Sequence, residues 1–398
     1  MLNTKDVVSE AKIYTAYVNK NTKWIFLNLK LSSGIEGWGE ATLNKSEKKI
    51  EELANNKLHN LIGLPISHLN NEIQELFNFS DTPNAVLTSA INSSLVDIIS
   101  QKNNISLANQ LGGLNYSEVE VYANFNRRTK DRSLEGIKKS VQFVKQNGFT
   151  AFKIAPFDEV FPSNSKSEIY NSITNGIQRI EVIRNVIGKD ARLMIDCHWR
   201  FNTNSIDILI EEILPFNIYW LECPIKENIE AIPMIKLIRN KVNKKGIRLA
   251  GLETCLTKTH FQPFLEKGCY DIVMPDVKYV GGPLKMTELA SYIGKYDIQV
   301  SPHNPSGPIC HAHSLQICGA LKAPTILEHQ FDESPLFNKL VFNKLPNIKN
   351  GKVKLSEDPG IGIKINKNLN LFESTNKKSV DSNKTVFDDI ANLSGSVR

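Results

Sequence analysis

No stretch of this 398-residue chain approaches the roughly 20 consecutive apolar residues needed to cross a bilayer. Its opening, MLNTKDVVSEAKIY, also lacks the apolar core of a secretory leader. Both absences lead to the expectation of a soluble cytoplasmic protein with no membrane partner. Cysteine is sparse and unpaired: Cys197, Cys223, Cys255, Cys269, Cys310 and Cys318 contain no CxxC motif, so disulfides are not expected. Basic clusters are missing as well. The 48 Lys and Arg against 42 Asp and Glu give +6, but the lysines are scattered rather than interleaved with aromatics. That pattern reads as a solvated surface and not as a nucleic-acid footprint. What remains, 41% hydrophobic and 23% charged, is ordinary globular composition with length for two or three domain-sized units.

Two strand-like runs open the chain, IYTAYV and WIFLNLKL, followed by the glycine-punctuated GIEGWGEAT. Between Ala85 and Leu111 apolar residues recur at helical spacing, and the stretch stops at Gly112-Gly113 in the manner of a helix C-terminus. This suits an α+β capping domain over residues 1–116. From there short apolar runs alternate with amphipathic stretches: VEVYANF, FTAFKIA, RLMIDCH, IYWLECP, GIRLAGLE, YDIVMPD, IQVSPH and PTILEHQ. Helices are expected at 133–147, 169–187 and 205–214. Eight such runs are the rhythm of a parallel β/α barrel, placed here over 117–337, although a doubly wound open sheet shares that local rhythm. Residues 338–398 break the pattern. GKVKLSEDPGIGIKI reads as a hairpin returning to the cap, and the residues after about Leu371 as a polar tail.

Acidic or histidine residues end six successive runs: Asp196, Glu222, Glu253, Asp276, His303 and Glu328. In a parallel barrel all C-terminal strand ends face one pocket, so Asp196, Glu222 and Glu253 converge although 222 − 196 = 26 and 253 − 222 = 31 positions separate them. Three hard oxygen donors suit Mg²⁺, one per site. Cys197 and Cys223 each follow a carboxylate by one residue and so should face away from it, which argues against zinc. Asp276 and His303 lie one strand-helix unit apart, and an aspartate on one imidazole nitrogen raises basicity at the other. Lys153, ending FTAFK, is placed to put a cation near a developing oxyanion. His198 shares the strand face of Asp196 and is a candidate general acid. His311 and His313 are read as surface or interface residues.

Together these residues resemble the enolase superfamily, in particular its mandelate racemase subgroup. GIEGWGEAT looks like the mobile loop that closes such sites, and SAINSSLVDIISQKNNISLANQLGG like the long cap helix. The resemblance implies an enolase-type (β/α) barrel with an α+β cap built from the N-terminal region and the C-terminal segment. It implies that Asp196, Glu222 and Glu253 bind Mg²⁺, that His303 paired with Asp276 removes the proton α to a carboxylate, and that Glu328 hydrogen-bonds the substrate carboxylate or enolate. Such enzymes are often dimers or higher assemblies, so a homo-oligomer is expected.

Two departures shape the expected reaction. The second lysine of the family's Lys-x-Lys pair is absent, the segment reading Lys153-Ile154-Ala155, which disfavours a simple racemase. The DCHWR segment instead resembles the Asp-x-His of acid-sugar dehydratases, with His198 protonating the departing hydroxyl. Leu252 also stands where the family usually has glycine, leaving Glu253 the least secure ligand. The expectation is a hydro-lyase converting an aldonate or aldarate to a 2-keto-3-deoxy acid. An epimerase or cycloisomerase is the first alternative and a metal-dependent hydrolase the second. Trp38, Asn124, Asn126, Arg127, Trp199 and Arg200 are candidates for reading substrate hydroxyls.

Overall fold

The computed structural model describes residues 6–20, 22–69, 79–342, 345 and 347–367, and the backbone of 371–373. The polar tail expected beyond those positions lies outside the described residues. Among the described residues no helix is long and apolar enough to cross a membrane.

Strands β1 (Val8–Asn19), β2 (Thr22–Leu31) and β3 (Glu36–Glu40) form an antiparallel sheet, extended at its far edge by β14 (Leu371–Glu373) against β1. This is the capping layer, completed by the C-terminal segment. The long helix packed on it spans Thr82–Lys102 and is capped by Asp81, whose side chain accepts from the Asn84 amide. The single helix expected to run on to Leu111 is instead broken. Asn104 turns left-handed at φ 52, and Ser106 caps a separate short helix, Leu107–Gln110. Apolar periodicity carried across the break because Ile98, Leu107 and Ala108 are all buried on the same layer.

The glycines of GIEGWGEAT have a packing cause. A Cβ at Gly37 would sit 2.1 Å from the Ser94 carbonyl oxygen, and one at Gly39 2.0 Å from that of Ala90. Only glycine lets β3 lie backbone to backbone on the long helix, so Glu36–Glu40 is a buried strand and not the mobile loop suggested by its composition.

Eight parallel strands follow: β4 (Glu118–Asn124), β5 (Ala151–Ile154), β6 (Arg192–Asp196), β7 (Ile218–Glu222), β8 (Arg248–Gly251), β9 (Ile272–Val273), β10 (Gln299–Val300) and β11 (Ile326–Gln330). Each expected run contains one. Ladders join neighbours from β4 through β10, and β11 pairs in parallel with β4. Side chains span the last seam: Ser301 Oγ donates to the Ile326 carbonyl at 2.7 Å, and Thr325 Oγ1 donates to that of Val300. The sheet is therefore a closed barrel and not an open doubly wound sheet. Helices at Leu134–Gln146, Lys166–Ile187 and Ile206–Ile213 match the expected ones closely. The hairpin read from GKVKLSEDPGIGIKI forms as β12 (Ile348–Lys349) and β13 (Lys352–Lys354), but it pairs with β4 of the barrel and not with the cap.

Buried polar contacts seat the cap on the barrel. Glu40 accepts the amides of Gly307 (2.7 Å) and Cys310 (2.9 Å) at the start of the helix Pro308–Ala320. His313 Nε2 meets the Trp38 carbonyl at 2.8 Å. This helix lies between the two layers and is buried almost all round, so His311 and His313, expected at the surface, are 2% and 1% exposed. Asp97 on the long helix accepts from Trp38 N and Ile361 N, each at 3.0 Å, tying β3 to the returning C-terminal segment.

Asp97→Ala leaves two buried amides without an acceptor, each costing about 1–3 kcal/mol. A fall in thermal midpoint of about 5 °C is expected in a calorimetric scan. An unchanged midpoint would show that this tie does not hold the cap.

Candidate active site

The side-chain period of two sorts the barrel interior into layers. Tyr122, Ala151, Met194, Trp220 and Ile326 form an apolar plug inside the strands. Two residues further along the same strands come Asn124, Lys153, Asp196, Glu222 and Glu328, all buried. The residues between them, Ala123, Phe152, Ile195, Leu221 and Leu327, face outward into the core beneath the helices. Cys197 belongs to that outer core too, as expected from its parity.

Lys153 is 1% exposed and bridges two carboxylates, Glu222 Oε1 at 2.7 Å and Glu328 Oε1 at 2.8 Å. Burial opposes its charge, but Glu222 and Glu328 overcome that and hold its pKa well above the ordinary lysine range. Glu328 also accepts from Asn124 Nδ2 and the Asn304 amide, each at 2.7 Å. Burial alone would raise its pKa, yet Lys153 and the other donors keep it ionised, at about 2.

Asp196 and Glu222 are register partners on β6 and β7. Glu253 reaches them differently. Glu222 pairs with Ala250 on β8, whose side chain faces inward, so strict alternation would turn residue 252 inward. Leu252 instead adopts φ 68 and joins the outer core, and this turn swings Glu253 into the site. A left-handed residue other than glycine costs about 1–2 kcal/mol. The Leu252 amide donates to Glu227 Oε1 at 2.8 Å, which helps offset that strain.

Among the described residues, Asp196, Glu222 and Glu253 are the one group of this kind, with candidate ligand atoms all within 4.8 Å of one another. Burial raises the pKa of Glu222 and Glu253, and the neighbouring carboxylates push further the same way, offset by Lys153 for Glu222 and by His303 for Glu253. Burial works against ionised Asp196 as well, but His198 and Lys153 bring it to about 2. With Glu328 included, four buried carboxylates share the single ammonium of Lys153. That excess of hard-oxygen negative charge fits a divalent cation.

Facing the cluster, His303 Nδ1 lies 2.9 Å from Asp276 Oδ2, which leaves Nε2 directed to the acid side, 3.7 Å from Glu253. His198 follows Asp196 in a left-handed turn, φ 46 at His198 and 55 at Trp199. Its Nε2 sits 2.8 Å from Asp196 Oδ2, and the side chain is 46% exposed to the cavity. The Asp196 charge raises the His198 pKa to about 9 despite burial.

These groups line one cavity of about 520 Å³. Asn124, Asn126, Arg127 and Trp199 line it too, whereas Trp38 and Arg200 do not. The Trp38 ring packs on Tyr14 at 5.7 Å within the cap core, and Arg200 clamps the loop carbonyls of Asp158 and Val160. The cap lines the mouth through Thr42 to Lys45, just past the strand that was read as its loop. Sequence reasoning missed Lys278, a buried cavity-lining cation 3.3 Å from Asp276 Oδ2 and 2.5 Å from Ser306 Oγ. The signal was present, since Lys278 follows Asp276 by the same two-residue step that singled out His198.

Residues 137–369 match the family described as enolase C-terminal domain-like, and residues 7–112 match the mandelate racemase / muconate lactonizing enzyme N-terminal domain. A D-xylonate dehydratase of Haloferax volcanii is 25% identical over 373 residues, 91% of this chain and 88% of that protein. A D-galactonate dehydratase of Pectobacterium atrosepticum is 24% identical over 367 residues, 89% and 92% respectively. Among solved structures, the 3,6-anhydro-D-galactonate cycloisomerase of Zobellia galactanivorans superposes with a TM-score of 0.75 at 23% identity, covering 91% of this chain and 97% of that one. At that identity the likeness speaks to fold alone.

A cation entering the acid cluster displaces protons, because its ligands must be ionised. Binding of Mg²⁺ is expected to release protons near pH 7 and to tighten as pH rises through the raised carboxylate range, read as buffer-dependent heats in titration calorimetry. Affinity independent of pH would show that the cluster is already fully ionised without the ion.

Proposed function

Since the chain belongs to the mandelate racemase / muconate lactonizing enzyme family, with its enolase-like C-terminal domain, we propose that it is a Mg²⁺-dependent hydro-lyase acting on an acid sugar. Its product would be a 2-keto-3-deoxy acid. The observation that carries this reading is the pairing, in one cavity, of a buried three-carboxylate cluster with a single Asp-supported imidazole and no acid or base at position 155. Its curated relatives named as D-xylonate and D-galactonate dehydratases support the same class. The reading also divides the chain into a cap (1–116), a barrel (117–337) and a segment returning to the cap (338–398).

Asp196, Glu222 and Glu253 would hold the cation, whose chemistry is to neutralise charge building on the substrate carboxylate. With Nδ1–H donated to Asp276, His303 keeps its lone pair on Nε2 and takes the α-proton there. The C–H electron pair moves into the enediolate, and Lys153 lowers the energy of that charge as a fixed buried ammonium. The pair then returns to form the α,β double bond as the β-carbon–oxygen bond breaks. The departing hydroxide takes a proton from His198, which Asp196 keeps charged near neutral pH, so water leaves. Tautomerisation of the enol completes the keto acid. Glu328, ionised and acceptor-only, holds Lys153 and can accept from a substrate hydroxyl. Asn124, Asn126, Arg127 and Trp199 are the groups placed to read stereochemistry.

Epimerisation or cycloisomerisation would share the enediolate, and the fold likeness to a cycloisomerase keeps it as the second reading. Proton NMR of turnover in D₂O separates them: keto-deoxy product supports dehydration, whereas α-deuterated starting material, an epimer or a ring-closed isomer as the end product overturns it. His303→Asn should abolish α-proton exchange, a loss of at least about 100-fold. His198→Asn should spare exchange and suppress elimination; equal loss of both would remove His198 as the acid.

A further inference from the structure

The third carboxylate of the cluster stands in the site against the strand parity of β8, so something must hold the backbone turn that puts it there. Leu252 is fully buried at φ 68, and its amide donates to Glu227 Oε1 at 2.8 Å. The same oxygen accepts from Tyr270 OH at 2.7 Å, the hydroxyl of a residue just before β9. The other oxygen, Oε2, accepts from Trp199 Nε1 at 3.1 Å. Trp199 lies three residues past Asp196, is itself left-handed, and walls the cavity. Glu227 lies five residues past Glu222. One carboxylate thus joins the loops that follow the three strands ending in Asp196, Glu222 and Glu253.

The fit leaves little freedom. A Cβ on Gly251 would lie 2.2 Å from Glu227 Oε1 and 2.7 Å from the Tyr270 ring, so the carboxylate rests directly on the β8 backbone. A charged acceptor on an amide is stronger than a neutral one, and groups that orient metal ligands from behind govern affinity through geometry. Where glycine would take the left-handed turn unaided, this chain has leucine and a carboxylate to hold it.

We propose that Glu227 is a positioning residue for the cation site: it locks Leu252 in the left-handed turn that aims Glu253, and fixes Trp199 beside Asp196. The proposal rests on the metal-site reading above but not on the identity of the substrate.

The test is Mn²⁺ affinity of the full chain, followed by electron paramagnetic resonance and calorimetry without substrate. Glu227→Ala should weaken Mn²⁺ binding about 10- to 100-fold with the far-ultraviolet circular dichroism unchanged. Adding Leu252→Gly to that variant should restore most of the affinity, because glycine adopts the turn without the clamp. A merely structural contribution would not be recovered by removing a buried side chain. Should Glu227→Ala fail to fold, Glu227→Gln keeps an oxygen for Leu252 and turns an amide towards Trp199, with a loss of a few-fold expected. Wild-type affinity in the alanine variant, or in the glutamine variant where the alanine one does not fold, or a loss that Leu252→Gly leaves untouched, overturns the proposal while sparing the metal site. Absence of Mn²⁺ binding in the wild type overturns both.

Discussion

One buried ammonium organises the interior of the barrel. Lys153 reaches from β5 to Glu222 on β7 and Glu328 on β11, so a single cation ties strands from different parts of the ring. Carboxylates taken out of water are tolerated only when paired and hydrogen-bonded. Glu328 meets that condition completely, through Lys153, Asn124 and Asn304. Glu222, Asp196 and Glu253 meet it only in part, and the shortfall of positive charge is what marks them as ligands awaiting a cation. The apolar plug of Tyr122, Met194 and Trp220 beneath them keeps water from supplying that charge from below.

The site is then polarised across its cavity. On one wall lie the acids, and on the other His303, backed by Asp276, which is shared with Lys278. Two positive groups therefore lean on Asp276 and hold its pKa below the ordinary carboxylate range although burial works the other way. A carboxylate held ionised in this way keeps its imidazole oriented in one tautomer, which a carbon-acid base requires.

The cap is attached through the same helix that follows the base. Glu40 closes the N-terminus of Pro308–Ala320, five to seven residues from His303, and His313 on that helix bonds back to the cap strand. His311 continues the chain of contacts to Asn304 and His329 behind Glu328. Histidines that a helical pattern would place at a surface are here part of the buried joint, because a helix sandwiched between two layers has no solvent face.

Much of this was legible in the residue order. Alternating apolar runs mark all eight barrel strands, and the strand ends name the carboxylates, the base and Lys153, since period two and parallel closure together dictate which groups meet. Those rules are local and repetitive, so sequence alone determined the barrel and the membership of its ladder. What only the tertiary structure decided depends on contacts between segments far apart in the chain. Gly37 and Gly39 became a packed strand because a helix lies against them, Trp38 went to the cap core, and His311 and His313 were enclosed. Glu253 entered the site only because Leu252 turns left-handed, a backbone state leucine does not favour by itself and which a carboxylate 25 residues away holds in place.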